Sequence, residues 1–120
     1  MRTVALISCC KNKLPHRSKV KDLYVSSSFK VNMSNSNLIS PDVKYVLSAK
    51  HGLLKMDDVI DPYDVTLNNM SEPEVISWSN KVFNQLRSLE DIPNTNFVIY
   101  ADDNYSRHLS KLLVHYHIIS

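Results

Sequence analysis

Apolar and polar positions fall into blocks of different period along the chain. Thr3-Val4-Ala5-Leu6-Ile7-Ser8 is a short continuous apolar run with β-branched residues, the pattern of a buried strand. Val43-Lys44-Tyr45-Val46-Leu47-Ser48 and Asn96-Phe97-Val98-Ile99-Tyr100-Ala101 read the same way, and Tyr116-His117-Ile118-Ile119 adds a short last strand. Between them the spacing turns helical. Ser71-Glu72-Pro73-Glu74 is a helix start: Ser71 is the N-cap, Glu74 three residues on completes a capping box, and Pro73 sits in the first turn. Val75, Trp78, Val82, Leu86 and Leu89 follow at helical spacing, and Pro93 marks the end. A final helix from about Asp103 to His115 turns Leu109, Leu112 and Leu113 inward. Another, over roughly 23–34 behind an Asp22 cap, offers Leu23, Phe29, Val31 and Met33. It runs against the poor helix-forming character of Ser26-Ser27-Ser28 and of the Asn/Ser-rich stretch 32–37. Residues 53–70, with Leu53, Leu54, Ile60, Pro62, Tyr63 and Leu67, read as irregular with at most a short helical turn.

Strands separated by helix-length segments predict one α/β domain over residues 1–120: three layers, with a mostly parallel sheet of three or four strands and helices on both faces. Ligands of such sheets bind beyond the carboxyl ends of the strands. The first polar residues there are Cys9 to Lys13, Ser48 to Gly52, and Asp102 to Tyr105, three clusters on one edge.

At 120 residues and 43% hydrophobic composition the chain can bury a core without staples. No run of about 18 apolar residues is present, and Met1-Arg2-Thr3 leads straight into a strand, so neither a membrane span nor a secretion signal is expected. The only cysteines, Cys9 and Cys10, are adjacent, a poor geometry for a disulfide; this predicts a reducing, cytoplasmic setting. With five scattered histidines they fall short of a structural zinc site, and no metal or cofactor is expected. Charge is uneven. Residues 1–30 hold seven Lys/Arg against one acid, while residues 31–120 hold seven against eleven. A basic lobe suits a phosphate-bearing partner, though it equally suits a solvated loop. The single glycine, Gly52, stands where average usage of about 7% would give roughly eight. Its position therefore points to a positive φ or to close approach of another group to the backbone.

Leu47-Ser48-Ala49-Lys50-His51-Gly52-Leu53-Leu54, followed by Asp61-Pro62-Tyr63, resembles the signature of the YaaA-like domain family and its small relatives of unknown function. Ile7-Ser8-Cys9-Cys10-Lys11 matches the family's opening, and Leu23-Tyr24-Val25-Ser26-Ser27-Ser28-Phe29 the small relatives' helix start; the likeness covers about residues 3–70. It implies an α/β fold remotely similar to uracil-DNA glycosylases. It also implies a nucleic-acid context, since relatives are linked to DNA binding under peroxide stress, to a DNA-mimicking antitoxin and to tRNA modification. The chain departs from the larger YaaA proteins in lacking a glycine-bearing helix-hairpin-helix, and it has Asp103 or Asn104 where a glycine is expected. Asn and Asp tolerate the left-handed conformation there, and a basic net charge argues against a DNA mimic, which is strongly acidic.

Taken together, these features place chemistry as follows. Lys50 and His51, beside Gly52, contact a phosphate or polarise a leaving base; the alternative is that Lys50 pairs with a carboxylate and His51 packs under the loop. Asp61, held extended by Pro62, orients water for attack at an anomeric carbon, unless it only caps its loop or pairs with Lys50. Tyr63 offers a stacking face and a hydroxyl. Cys9, Lys11, Lys13, Tyr24, Ser26, Ser48, Gly52 and Tyr105 complete a substrate and phosphate-binding set. Cys10 as a thiolate is the weaker alternative to a packed thiol. Tyr105 and Arg107 open the last helix, where an anion is favoured. The function expected is that of a hydrolase-like protein acting on DNA, RNA or a nucleotide, cleaving or exchanging an N-glycosidic bond. The alternatives are a non-catalytic nucleic-acid binder stacking bases on Tyr24, Tyr63 and Tyr105, and a protein-interaction or inhibitor module with an idle cleft.

Overall fold

The computed structural model describes residues 1–119. Its centre is β1 (Arg2–Ser8), in which Val4, Ala5, Leu6 and Ile7 are all fully buried. A strand with four consecutive buried residues must be covered on both faces, and β1 is. It lies between β3 (Val43–Ser48) and β6 (Thr95–Tyr100), parallel to both, and β6 in turn pairs in parallel with β7 (His115–Ile119). A fifth strand, β4 (Gly52–Lys55), folds back antiparallel on β3, giving the order β4-β3-β1-β6-β7. A two-stranded antiparallel sheet of β2 (Ser18–Lys19) and β5 (Val59–Ile60) stands apart.

The side-chain alternation of β1 divides the core. Val4 and Leu6 join Tyr45, Leu47, Phe97 and Ile99 against Trp78, Val82 and Leu86 of α3 (Glu72–Arg87) and Leu109 of α4 (Asp103–Ser110). Ala5 and Ile7 join Val46, Val98 and Tyr100 against Val20 and Leu23 of α1 (Val20–Leu23) and Phe29 of α2 (Ser27–Asn37). The fold is thus mixed α/β with a mostly parallel sheet.

The capping box forms as the sequence predicts: Ser71 Oγ accepts from the Glu74 backbone N–H, and the Ser71 backbone N–H donates to the Glu74 carboxylate at 3.1 Å. Elsewhere the boundaries move. The helix expected over 23–34 behind Asp22 is two pieces, because Tyr24 and Val25 are extended and bonded to the Lys13 region; α2 starts only after Ser26, whose hydroxyl accepts from the Phe29 N–H at 3.2 Å. Val31, expected inward, is exposed. The last helix stops at Ser110, and a turn through Leu113 releases His115 into β7. The sheet has five strands because Leu53 and Leu54, on opposite faces of β4, enter the two clusters opposite Leu47 and Val46. Residues 53–70 accordingly hold β4, β5 and a 3-10 turn at Leu67–Asn69. At the amino end of the sheet the Glu90 carboxylate is buried between the Arg2 guanidinium (2.5 Å) and the Tyr45 hydroxyl (2.7 Å), far from the strand ends that matter below.

Candidate functional site

From β1 the chain crosses by α1 and α2 to β3 on one side; from β6 it crosses by α4 to β7 on the other. Crossovers of one hand running in opposite directions lay their helices on opposite faces and leave a crevice where they part. That point is the carboxyl end of β1 beside β6, and a cleft of about 680 Å³ opens there. Ser8 to Lys11 and Lys13 line it from β1, Ala101, Asp102 and Tyr105 from β6. Ser28 and Asn32 of α2 form one wall, and Asp64, Thr66, Asn68 and Asn69 the other, braced where the Asn104 amide donates to Asn68.

Cys9 touches both halves of the core and brings its thiol within 3.4 Å of the Tyr105 hydroxyl. Tyr105 is buried edge-on against Trp78, and burial, with the neighbouring Cys9, raises its pKa well above the ordinary phenol value. The Lys13 ammonium donates to the carbonyls of Cys10 (2.8 Å) and Lys11 (3.3 Å) and lies 4.4 Å from the centroid of the Tyr63 ring. It therefore organises the loop that it belongs to, and leaves Lys11 as the exposed cation of the rim.

Behind Lys13 runs a chain of hydroxyls. Tyr24 and Tyr63 share a hydrogen bond of 2.6 Å, Ser48 Oγ donates to the Tyr63 oxygen at 2.7 Å, and Ser48 Oγ accepts from the His51 N–H at 3.0 Å. Burial raises the pKa of both phenols, which keeps them neutral.

The β3–β4 connection is a three-residue loop, Ala49-Lys50-His51, closed by Gly52 at φ +80°, the left-handed position that such hairpins place there. One stripe of α3 fastens it: Trp78 Nε1 donates to the Ser48 carbonyl (2.8 Å), Lys81 to that of Lys50 (3.4 Å) and Gln85 Nε2 to that of His51 (3.2 Å), while Gln85 Oε1 accepts from the Leu53 N–H (2.8 Å). Burial, then the charges of Lys50 and Lys81, lower the His51 pKa.

The structure gathers Cys9, Lys11, Lys13 and Tyr105 around the cleft, but not the other expected residues. Ser48, Lys50, His51, Gly52 and Tyr63 form the adjoining turn and its support. The close approach to Gly52 comes from Gln85, whose carboxamide oxygen a Cβ would overlap, so the expected ligand contact is replaced by an internal one. Ser26 is a helix cap. Tyr24 and Tyr105, 2% and 6% exposed, have no free face for a base. Asp61 is exposed and paired with Arg17 at 3.2 Å, outside the cleft lining, and its pairing with Lys50 does not occur. Arg107 is held by Glu72 and Asp103, which removes it as a free anion contact. Ser28, Asn32, Asp64, Thr66, Asn68 and Asn69 were not anticipated; polar positions interleaved with Val65 and Leu67 after Tyr63 were the only signal for the last four. Nor was the α3 stripe, whose spacing of three and four residues is visible but whose partner is not. Among the described residues no three His, Cys, Asp or Glu side chains group as a metal site requires, and no helix is long and apolar enough to cross a membrane.

The model of a family of unknown function, DUF6884, matches residues 4–118, nearly the whole chain, and the chain belongs to this family. Neither a curated protein nor a solved structure matches it.

Proposed function

For this member of a family of unknown function, we propose that the cleft binds a nucleotide unit, free or carried by DNA or RNA, with Lys11 meeting its phosphate. The observation that carries the reading is the position of the cleft: it opens at the point where the crossovers part, and its rim cation has no carboxylate partner among the described residues. Asn32, Asn68 and Asn69 supply amide donors and acceptors of the kind that read a base edge or a ribose. We read residues 3–70 as resembling YaaA-like domains, whose nucleic-acid context suits the same ligand class. We read the two core clusters as the spaces on either side of the sheet in a three-layer arrangement, the architecture that places ligands this way.

Cleavage or exchange of an N-glycosidic bond needs a carboxylate facing the bound sugar. In this reading that role passes from Asp61 to Asp64 and Asp102, which line the cleft. Titration with nucleoside monophosphates and with labelled DNA and RNA strands tests it. Lys11→Ala is expected to weaken binding about tenfold or more, the cost of one charge-assisted contact. If the site is catalytic, Asp102→Asn keeps binding and loses base release. Absence of nucleotide binding at low salt would overturn the proposal.

A further inference from the structure

Two further cations, Lys50 and Lys81, stand at the turn beside the cleft with no carboxylate partner among the described residues. Arg17, Lys21 and Arg107, by contrast, each meet a carboxylate. Lys50 and Lys81 nonetheless meet at the turn, where the Lys81 ammonium lies 3.4 Å from the Lys50 carbonyl oxygen. Lys50 rides on the three-residue turn, Lys81 reaches from α3 to the Lys50 carbonyl, and His51 lies close enough to both for their charges to act on it. Like charges gathered without a carboxylate repel one another, and an anion between them relieves the repulsion.

The turn that presents them is rigid. Its carbonyls at 48, 50 and 51 are tied to Trp78, Lys81 and Gln85, its His51 N–H to Ser48, and its closing residue is a left-handed glycine packed on Gln85. So little ordering remains to be done when a ligand arrives.

The turn is also joined to the cleft. The His51 ring meets Tyr63 edge-on at 5.4 Å, and the Lys13 ammonium, a cleft-lining group, lies 4.4 Å from the centroid of that same ring. Lys13, the Tyr63 ring and the His51 ring thus form one packed connection from the cleft lining to the turn, which sets the turn's cations beside the cleft. We propose that Lys50, His51 and Lys81 form a second anion site that holds a backbone phosphate of a single-stranded nucleic acid, one of whose nucleotides occupies the cleft. The inference rests on the nucleotide reading of the cleft and narrows its ligand from a nucleotide to a strand.

The test compares wild type, Lys50→Gln/Lys81→Gln and Lys11→Ala, each titrated with thymidine monophosphate and with fluorescent oligothymidylate and oligouridylate of about ten nucleotides, at about 50 and 200 mM salt. All these positions are exposed, so the variants are expected to fold. The expected result is that Lys50→Gln/Lys81→Gln weakens at least one oligonucleotide about tenfold or more. It also lowers the salt slope, by roughly 0.7 for each lysine that meets a phosphate, and leaves the monophosphate affinity unchanged. Monophosphate binding with oligonucleotide affinities indifferent to the double substitution overturns the second site and leaves the cleft reading standing. Oligonucleotide binding lost in the double variant but indifferent to Lys11→Ala upholds the anion site and overturns the cleft assignment. Failure of both oligonucleotides to bind wild type overturns the inference.

Discussion

Single residues explain why this edge of the sheet has the shape it has. Gly52 was readable as special from its being the only glycine, and the structure gives both reasons at once, a φ of +80° and the Gln85 carboxamide against its Cα. Gly52→Ala is expected to cost about 2–4 kcal/mol in chemical denaturation, part from the left-handed conformation and part from displacing Gln85. In a Gln85→Ala background only the conformational part, about 1–2 kcal/mol, should remain, so the double-mutant cycle separates the two. Tyr63→Phe leaves the Tyr24 hydroxyl and Ser48 Oγ each short of a partner in a buried chain, and about 1–2 kcal/mol of stability should go with it. His51 makes stability depend on pH. Its pKa is lowered in the folded chain from the ordinary 6.5, so below that value the unfolded chain binds a proton that the folded one refuses. Stability should therefore fall as pH drops through 6.5 towards the folded value, and His51→Gln should remove that part of the slope in urea midpoints taken across the window. Asp61 shows the limit of reading residues singly. Its extended, proline-fixed backbone was legible, but the Arg17 that claims it lies 44 positions away.

Elements were legible where their signals are local. The start of α3 was written within four residues, Ser71 to Glu74, and it formed as written. Ser71→Ala removes the acceptor for the Glu74 N–H and frees the Ser71 N–H bond to relax, for an expected loss of about 1 kcal/mol, read as a lowered unfolding midpoint. The hydrogen bonds from Ser71 lower the Glu74 pKa, so the capping box contributes above the ordinary carboxylate range and fades as pH falls through the folded value. By contrast α2 carries Ser and Asn where propensity disfavours a helix, and it persists because Phe29 is buried, Met33 packs against the core and Ser26 caps the first turn. Its true cap lay four residues beyond Asp22, and nothing in spacing alone chooses between an Asp and a Ser. β4 was missed for a related reason: Leu53 and Leu54 look like one apolar step in an irregular segment. Only the left-handed Gly52 closing a three-residue loop makes them a returning strand.

At the scale of the whole molecule, β1 is the strand that both core clusters and the cleft share. Its Val4 and Leu6 belong to the cluster under α3 and α4, its Ala5 and Ile7 to the cluster under α1 and α2, and its last residues enter the cleft. Two clusters that share one strand cannot come apart independently, because losing either uncovers a face of β1 and exposes its buried backbone pairing with β3 and β6. Trp78, the only tryptophan, reports on the first cluster alone. Phe29 lies in the second, on the opposite face, and Phe29→Ala is expected to cost about 3–5 kcal/mol as a large-to-small change in a packed core. If the sheet unfolds as a unit, the urea transition of Phe29→Ala followed by Trp78 fluorescence shifts by the same amount as the transition followed by far-ultraviolet circular dichroism. A Trp78 transition left at the wild-type midpoint, with dichroism alone moving, would show that the two sides unfold separately. The cleft between the crossovers would then be bounded by two halves free to open against each other, not by one rigid frame.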